Sequence, residues 1–219
     1  IFSLSTGSVQ IPKTGIIKYF LGMGGDLSDS MKTILISVRL PRILMAVLIG
    51  MLLSSSGTVV QTVFQNPLAD PYIIGIAASA TFGAVLAFVF HLPDIMYGVL
   101  AFVTSVIVSI IIFKLSKSGN KSDITTLLII GIAISSFLGA FTSFAMYLIG
   151  ENSFKIVTWM MGYLGSATWE KIVILLFPLI VSVFYFFAKR HELDLLLSGD
   201  EEAHALGVNV EILKKRRQQ

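Results

Sequence analysis

The charged residues of this chain fall into two groups with different chemistry. Arg39 and Arg42, in the run Arg-Leu-Pro-Arg, are three residues apart. They share one side if a helix begins there, although Pro41 marks a helix start more naturally than a helix interior. Two guanidiniums so placed form a docking site for carboxylates. The same pair at a membrane surface would anchor in headgroups, and sequence physics alone weighs the two readings evenly. Far downstream, Ser198-Gly199-Asp200-Glu201 has capping-box spacing, and Asp200, Glu201 and Glu202 suit a helix N-terminus. Gly207 is the stop after His204-Ala205-Leu206, and Asn209 starts a second short helix through Ile212. With Ala203, Leu206, Val208 and Ile212 apolar, the two helices resemble a plug for a groove on another protein. An amphipathic segment lying on the membrane is the alternative, but three consecutive acids there would be repelled by anionic lipid.

Other chemistries find no support. The three histidines, His91, His191 and His204, have no spacing that would place a metal pair on one helix, so no metal or cofactor is expected. There is no Cys for a disulfide or a thiolate site. No Gly-x-Ser-x-Gly elbow occurs, so no catalytic residue is assigned. The run Ser-Gly-Asn-Lys-Ser at 118–122 lacks the order of a phosphate loop and follows no strand, leaving the chain without an ATPase site of its own.

The elements that must carry these residues are membrane helices. Of 219 residues, 55% are hydrophobic and 13% charged, and mean hydropathy is +0.85. A helix rising about 1.5 Å per residue needs about 20 apolar residues to cross a hydrocarbon core about 30 Å thick. Residues 43–64, 72–90, 95–113, 125–149 and 172–188 qualify, and none of these segments contains Asp, Glu, Lys or Arg. The fold class is therefore all-α, a polytopic transmembrane helical bundle, since unpaired backbone groups in lipid exclude irregular spans and the alternation of a barrel strand is missing. Three parts are expected: an N-terminal segment 1–42, a bundle of five spans over 43–188, and a polar segment 189–219 with a basic tail. Proton- or sodium-coupled carriers usually hold Asp, Glu or His at membrane depth, and intramembrane enzymes need a base or a metal ligand there; these spans offer neither.

Loop charge sets the orientation. Lys114, Lys117 and Lys121 between the third and fourth spans, with Lys189 and Arg190 after the fifth, place those loops in the cytoplasm. The N-terminal segment then lies outside, against the preference of Lys13, Lys18, Lys32, Arg39 and Arg42 for the cytoplasmic side. Either the orientation is inverted or these arginines have a task on the outer face. The net charge of +3 owes much to the tail Lys214 to Arg217, a membrane flank rather than a nucleic-acid patch.

Within the bundle, small residues recur at i, i+4: Ala46, Gly50 and Ser54; Gly75, Ser79, Gly83 and Ala87; Gly131, Ser135, Gly139 and Ser143. Close helix packing is the reading preferred over contact with a substrate. The turn Gln65-Asn66-Pro67-Leu68-Ala69-Asp70-Pro71 reads as a capped hairpin, with Asp70 as N-cap and Pro71 in the first turn of the next helix.

In order along the chain, Arg-Leu-Pro-Arg at 39–42, Gly50, Ser56-Gly57, Gln61, Asn-Pro-Leu-Ala-Asp-Pro at 66–71, Gly75, Trp159 to Gly165, Trp169, and the acidic run 199–208 are present. The ordered set resembles the permease family of type II ABC importers, the FecCD group, which takes up iron–siderophore complexes, haem and cobalamin. Such permeases have about ten helices per subunit, more than the span rule finds here, so the five spans would match the second to sixth of a longer chain. The resemblance implies a multi-pass protein of the cell (inner or cytoplasmic) membrane, in contact with membrane lipid and not with nucleic acid. Its implied partners are an ATP-binding-cassette ATPase subunit, a periplasmic or lipid-anchored substrate-binding protein, and a second permease subunit, as a homodimer. Arg39 and Arg42 match the positions that receive glutamates of the binding protein. Gly199, Asp200, Glu201, Glu202, Ala203, Leu206 and Gly207 match the loop seated in the ATPase, and Ser122, Thr125 and Thr126 match a cytoplasmic gate. An iron(III)–siderophore is the expected cargo, haem or cobalamin the alternative, and a non-transporting scaffold fragment a further one.

Overall fold

The computed structural model describes residues 2–23, 27–118, 121–122 and 124–197. Its elements are α1 (Phe2–Ser5), α2 (Lys13–Phe20), α3 (Asp29–Ile34), α4 (Leu40–Phe64), α5 (Ile76–Val89), α6 (Asp94–Leu115), α7 (Ile124–Ile149), α8 (Phe154–Met160) and α9 (Trp169–Leu197). A two-residue antiparallel ladder, Lys117 opposite Ser122 and Ser118 opposite Lys121, is the one departure from all-α among the described residues. Residues 199–207, with the whole acidic segment assigned to ATPase coupling, and the helix from Asn209 lie outside the described residues.

Among the described residues four helices, not the five expected, are long and apolar enough to cross a membrane: Asp29–Phe64, Asp94–Leu115, Ile124–Ile149 and Trp169–Asp194. The expected span 72–90 is instead a broken element. Asp70 caps a 3-10 turn over Pro71–Ile74, its Oδ1 accepting from the Tyr72 amide at 2.8 Å. Gly75 then takes φ +86°, and a 14-residue helix restarts at Ile76. At about 1.5 Å per residue such a helix reaches about 21 Å, short of the hydrocarbon thickness. The cap and Pro71 act as the sequence indicates, but on one short turn, because the left-handed Gly75 cannot continue it.

The first long helix also departs from expectation. Pro41 lies inside a continuous helical run from Asp29, not at its start. The clash and missing donor of an interior proline are accommodated by a widened turn: Leu35–Arg39 is π-helical, with the Leu40 amide donating to the Leu35 carbonyl. The last helix runs beyond residue 188 through Lys189 and Arg190, and Lys189 Nζ bonds Glu192 Oε1 at 2.7 Å.

The chain divides into two compact units, one from Ile1–Ser55 and Tyr163–Ala188, the other from Ser56–Gly162 and the described part of Lys189–Gln219. In the first, Ile11, Ile16, Leu27 and Leu35 form a small buried core backed by Leu4, Tyr19, Met31 and Ile34. Leu48 of α4 meets Ile172 and Leu179 of α9 in a second cluster. In the second unit, α5, α6 and α7 are consecutive packed helices, and α8 closes on α5 and α7 where Ile156 meets Val85 and Ala145.

Candidate functional site

In the first unit, the segment before α4 is folded onto the helix that carries the arginines. Arg39 is half-buried. Its Nη1 donates to the Leu4 carbonyl and its Nη2 to the Val9 carbonyl, so one guanidinium ties two turns of the N-terminal segment. Charge-assisted bonds of this kind are worth about 1.5–3 kcal/mol when shielded and less where an acceptor is exposed, as at Val9. Gly7 lies under the same fork; a Cβ there would stand 2.7 Å from Arg39 Nη2. Arg42 is exposed, and among the described residues it makes no hydrogen bond or ion pair. The two arginines that the sequence pairs thus stand in different environments.

The widened turn beneath them is closed by a residue from the far end of the unit. In a π turn the donor for the Ile36 carbonyl would be residue 41, a proline without N–H. Trp169 Nε1 supplies that bond at 3.1 Å. Sequence reasoning picked out Trp169 by resemblance alone; no local signal gives its partner, 133 positions away.

The second unit holds most of the small residues assigned to helix packing. A Cβ on Gly75 would lie 3.0 Å from Ser135 Oγ, 3.3 Å from the Gly131 carbonyl oxygen and 3.3 Å from Ile112 Cδ1. One on Gly83 would stand 2.5 Å from the Leu100 carbonyl oxygen and also overlap Thr104 Oγ1. The ladder of α5 therefore serves two neighbours, α7 at Gly75 and α6 at Gly83. Thr104 Oγ1 donates across the α5–α6 contact to the Ser79 carbonyl at 2.8 Å. Gly139 of α7, and Gly50 in the first unit, have no atom within 4 Å of an added Cβ. Thr125 and Thr126 occupy the first turn of α7, at the end that also carries Lys114, Lys117 and the Gly75 break. Ser122 lies in the short ladder before them. In the turn 65–71, Asn66 Oδ1 accepts from the Leu68 amide at 2.9 Å, and Leu68 projects 84% exposed.

At the opposite end of this unit is an apolar cleft of about 830 Å³, which the sequence did not indicate. Val85, Phe141, Phe144 and Leu148 form its walls, and His91, Tyr97 and Lys155 are its polar lining. Its walls come from α5 and α7 and from the link before α6, so no single stretch of sequence encodes it. Among the described residues no group of three His, Asp or Glu side chains could hold a metal. The arrangement offers helix packing, a cationic surface and an apolar cleft.

The comparisons with known proteins follow this architecture. The profile of the FecCD transport family matches residues 1–216. The hemin transport system permease protein HmuU of Yersinia pestis is 37% identical over 196 residues, 86% of this chain and 58% of that protein. The cobalamin import system permease protein BtuC of Halobacterium salinarum is 33% identical over 91% of this chain and 54% of its own length. A solved inward-facing conformation of a metal-chelate type ABC transporter superposes with a TM-score of 0.79 at 27% identity, covering 97% of this chain and 65% of that one. The chain spans less than two thirds of the length of these relatives. With a profile match along almost all its length, and helices that superpose on those of a solved metal-chelate type ABC transporter, the chain belongs to the FecCD transport family.

Proposed function

We propose that this chain is part of the transmembrane permease of an ATP-binding-cassette importer that moves a bulky metal chelate, delivered by a substrate-binding protein and driven by a separate ATPase subunit. The observation that carries the reading is the family match over residues 1–216, supported by the resemblance of the helices to a metal-chelate transporter. Long apolar helices without acidic or basic residues in their central spans fit a path opened by movement of helices rather than by titration of a buried carboxylate. Iron(III)–siderophore, haem and cobalamin suit this reading equally, since relatives named for hemin, cobalamin and iron chelatin have similar identity.

In this assignment the end of the second unit that carries Lys114, Lys117, Thr125 and Thr126 faces the cytoplasm, in keeping with positive loop charge. Thr125 and Thr126, with Ser122, form a cytoplasmic gate. The segment 199–207 seats in the ATPase, with Leu206 as its apolar anchor. The cationic N-terminal segment faces outward, where it meets carboxylates of the binding protein. A second permease subunit completes the path.

The test is to isolate the complete gene product in mild detergent, identify copurifying proteins by mass spectrometry, and measure ATP-dependent uptake of a ferric siderophore, haemin and cobalamin in proteoliposomes. An ATPase in equal amount, lost on Leu206→Asp, with uptake of one of the three, is expected. A homogeneous protein without an ATPase, inactive toward all three, would overturn the reading.

A further inference from the structure

We infer that the two arginines of the Arg-Leu-Pro-Arg run divide their work: Arg39 is a positioning residue that builds the outer docking surface from the N-terminal segment, and Arg42 is the arginine that meets the partner's carboxylate. The inference rests on the docking role proposed above and assigns it to one of two residues that the sequence leaves equivalent.

Three observations carry it. Arg39 spends its fork within the chain, on the carbonyls of Leu4 and Val9. Two of its five N–H donors are thereby committed and the half-buried guanidinium is held against the chain, whereas Arg42, exposed, keeps its donors for a bidentate carboxylate pair. Secondly, Gly7 lies so close to Arg39 Nη2 that any side chain there would displace the guanidinium, so the segment is shaped around this contact. Thirdly, Arg42 is exposed and without a partner among the described residues.

What Arg39 holds in place is itself a cationic surface. Lys13 and Lys18 of α2 are exposed, and Lys13 Nζ rests 5.5 Å from the centroid of the Phe2 ring, on the element that Arg39 fastens through Leu4. The buried quartet Ile11, Ile16, Leu27 and Leu35 fixes α2 against the turn that ends at Arg39. Residues 1–42 carry five Lys and Arg against Asp26 and Asp29, and Lys32 is already paired with Asp29 at 2.9 Å. The surface fits an acidic protein partner, with Arg42 as the point of contact and Lys13 and Lys18 as the surrounding field.

The division is tested in the full-length importer complex, in nanodiscs of uncharged lipid, with Arg39→Gln, Arg39→Lys and Arg42→Gln. Hydrogen exchange of the amides over residues 4–11 reads the clamp. Affinity for the importer's own substrate-binding protein, measured from 50 to 300 mM salt, reads the contact. Arg39→Gln is expected to raise exchange over residues 4–11 at least tenfold and to weaken binding without changing its salt slope. Arg39→Lys, which regains one carbonyl bond, should recover part of the protection. Arg42→Gln should leave exchange as in the unaltered protein, weaken binding about tenfold and flatten the salt slope. Equal flattening in both glutamine variants, or unaltered exchange in Arg39→Gln, would overturn the division. The expected exchange pattern with unaltered affinity in every variant would remove the docking reading and overturn the role given to Arg42, while leaving Arg39 as a clamp.

Discussion

Along α5 in the second unit, an added Cβ at Gly83 would press into the Leu100 carbonyl, whereas along α4 in the first unit one at Gly50 would meet no atom within 4 Å. The two helices carry the same i, i+4 pattern of small residues, yet in the described structure only the α5 glycines sit against neighbours. Position in the pattern states that close approach is allowed. Whether it occurs depends on which helix lies opposite, and α5 is a short element lodged between α6 and α7 while Gly50 faces open space. The units also differ in the side chains that reach carbonyls of other elements. The second uses hydroxyls, with Thr104 bonding the Ser79 carbonyl across helices, and the first uses long side chains, Arg39 and Trp169, to reach carbonyls distant in sequence.

The sharpest way to break this contrast is Gly83→Ala. Its Cβ meets backbone, which cannot rotate aside, so α5 and α6 must separate; a loss of about 3 kcal/mol or more is expected, in the range of overpacked cores. Fluorescence-detected thermal unfolding of the solubilised full-length protein would read it, and an unchanged midpoint would refute the packing account. Gly75→Ala should cost about 2 kcal/mol, from the left-handed backbone at φ +86° and from contacts of 3.0–3.3 Å to α6 and α7. Gly75→Asn, better tolerated at that φ, should lose less of the backbone share, and the two variants together separate conformation from space.

In the first unit, Trp169→Phe keeps the ring and deletes the donor to Ile36. The expected loss is about 1 kcal/mol. It should be seen as faster hydrogen exchange around residues 35–40, with the α5–α7 region unchanged. Gly50→Ala and Gly139→Ala are expected to shift stability by less than about 1 kcal/mol, toward greater stability if helix propensity decides. A large loss at either would identify a neighbour from another subunit or another part of the protein at that helix face.

Much of the fold was legible because its causes are local. A run of apolar residues without charge must become a helix in lipid, and four of the five expected spans correspond to long helices. Asp70 and Pro71 stand where a cap and a first turn belong. The remaining expected span, 72–90, is interrupted at Gly75: hydropathy counts that residue as neutral, and only backbone conformation reveals a helix break there. Pro41 misled in the opposite direction, since local rules end or begin a helix at proline, whereas here a widened turn and a tryptophan 133 positions away from its acceptor carry the helix through. The candidate sites divide along the same line. The arginine pair was visible as a pair, but not the commitment of one member to the carbonyls of Leu4 and Val9. The cleft between α5 and α7 left no mark in the sequence because its lining is gathered from separate elements.

The sequence by itself determined the solvent, the class and the family: apolar length and the absence of charge dictate membrane helices, and the ordered motifs carry the FecCD resemblance that the profile match establishes. Tertiary structure alone decided which glycines touch a neighbour, where a helix breaks, and which arginine remains exposed. Those outcomes depend on atoms brought together from distant positions, where a few tenths of an ångström or one missing N–H decides between alternatives that look alike along the chain.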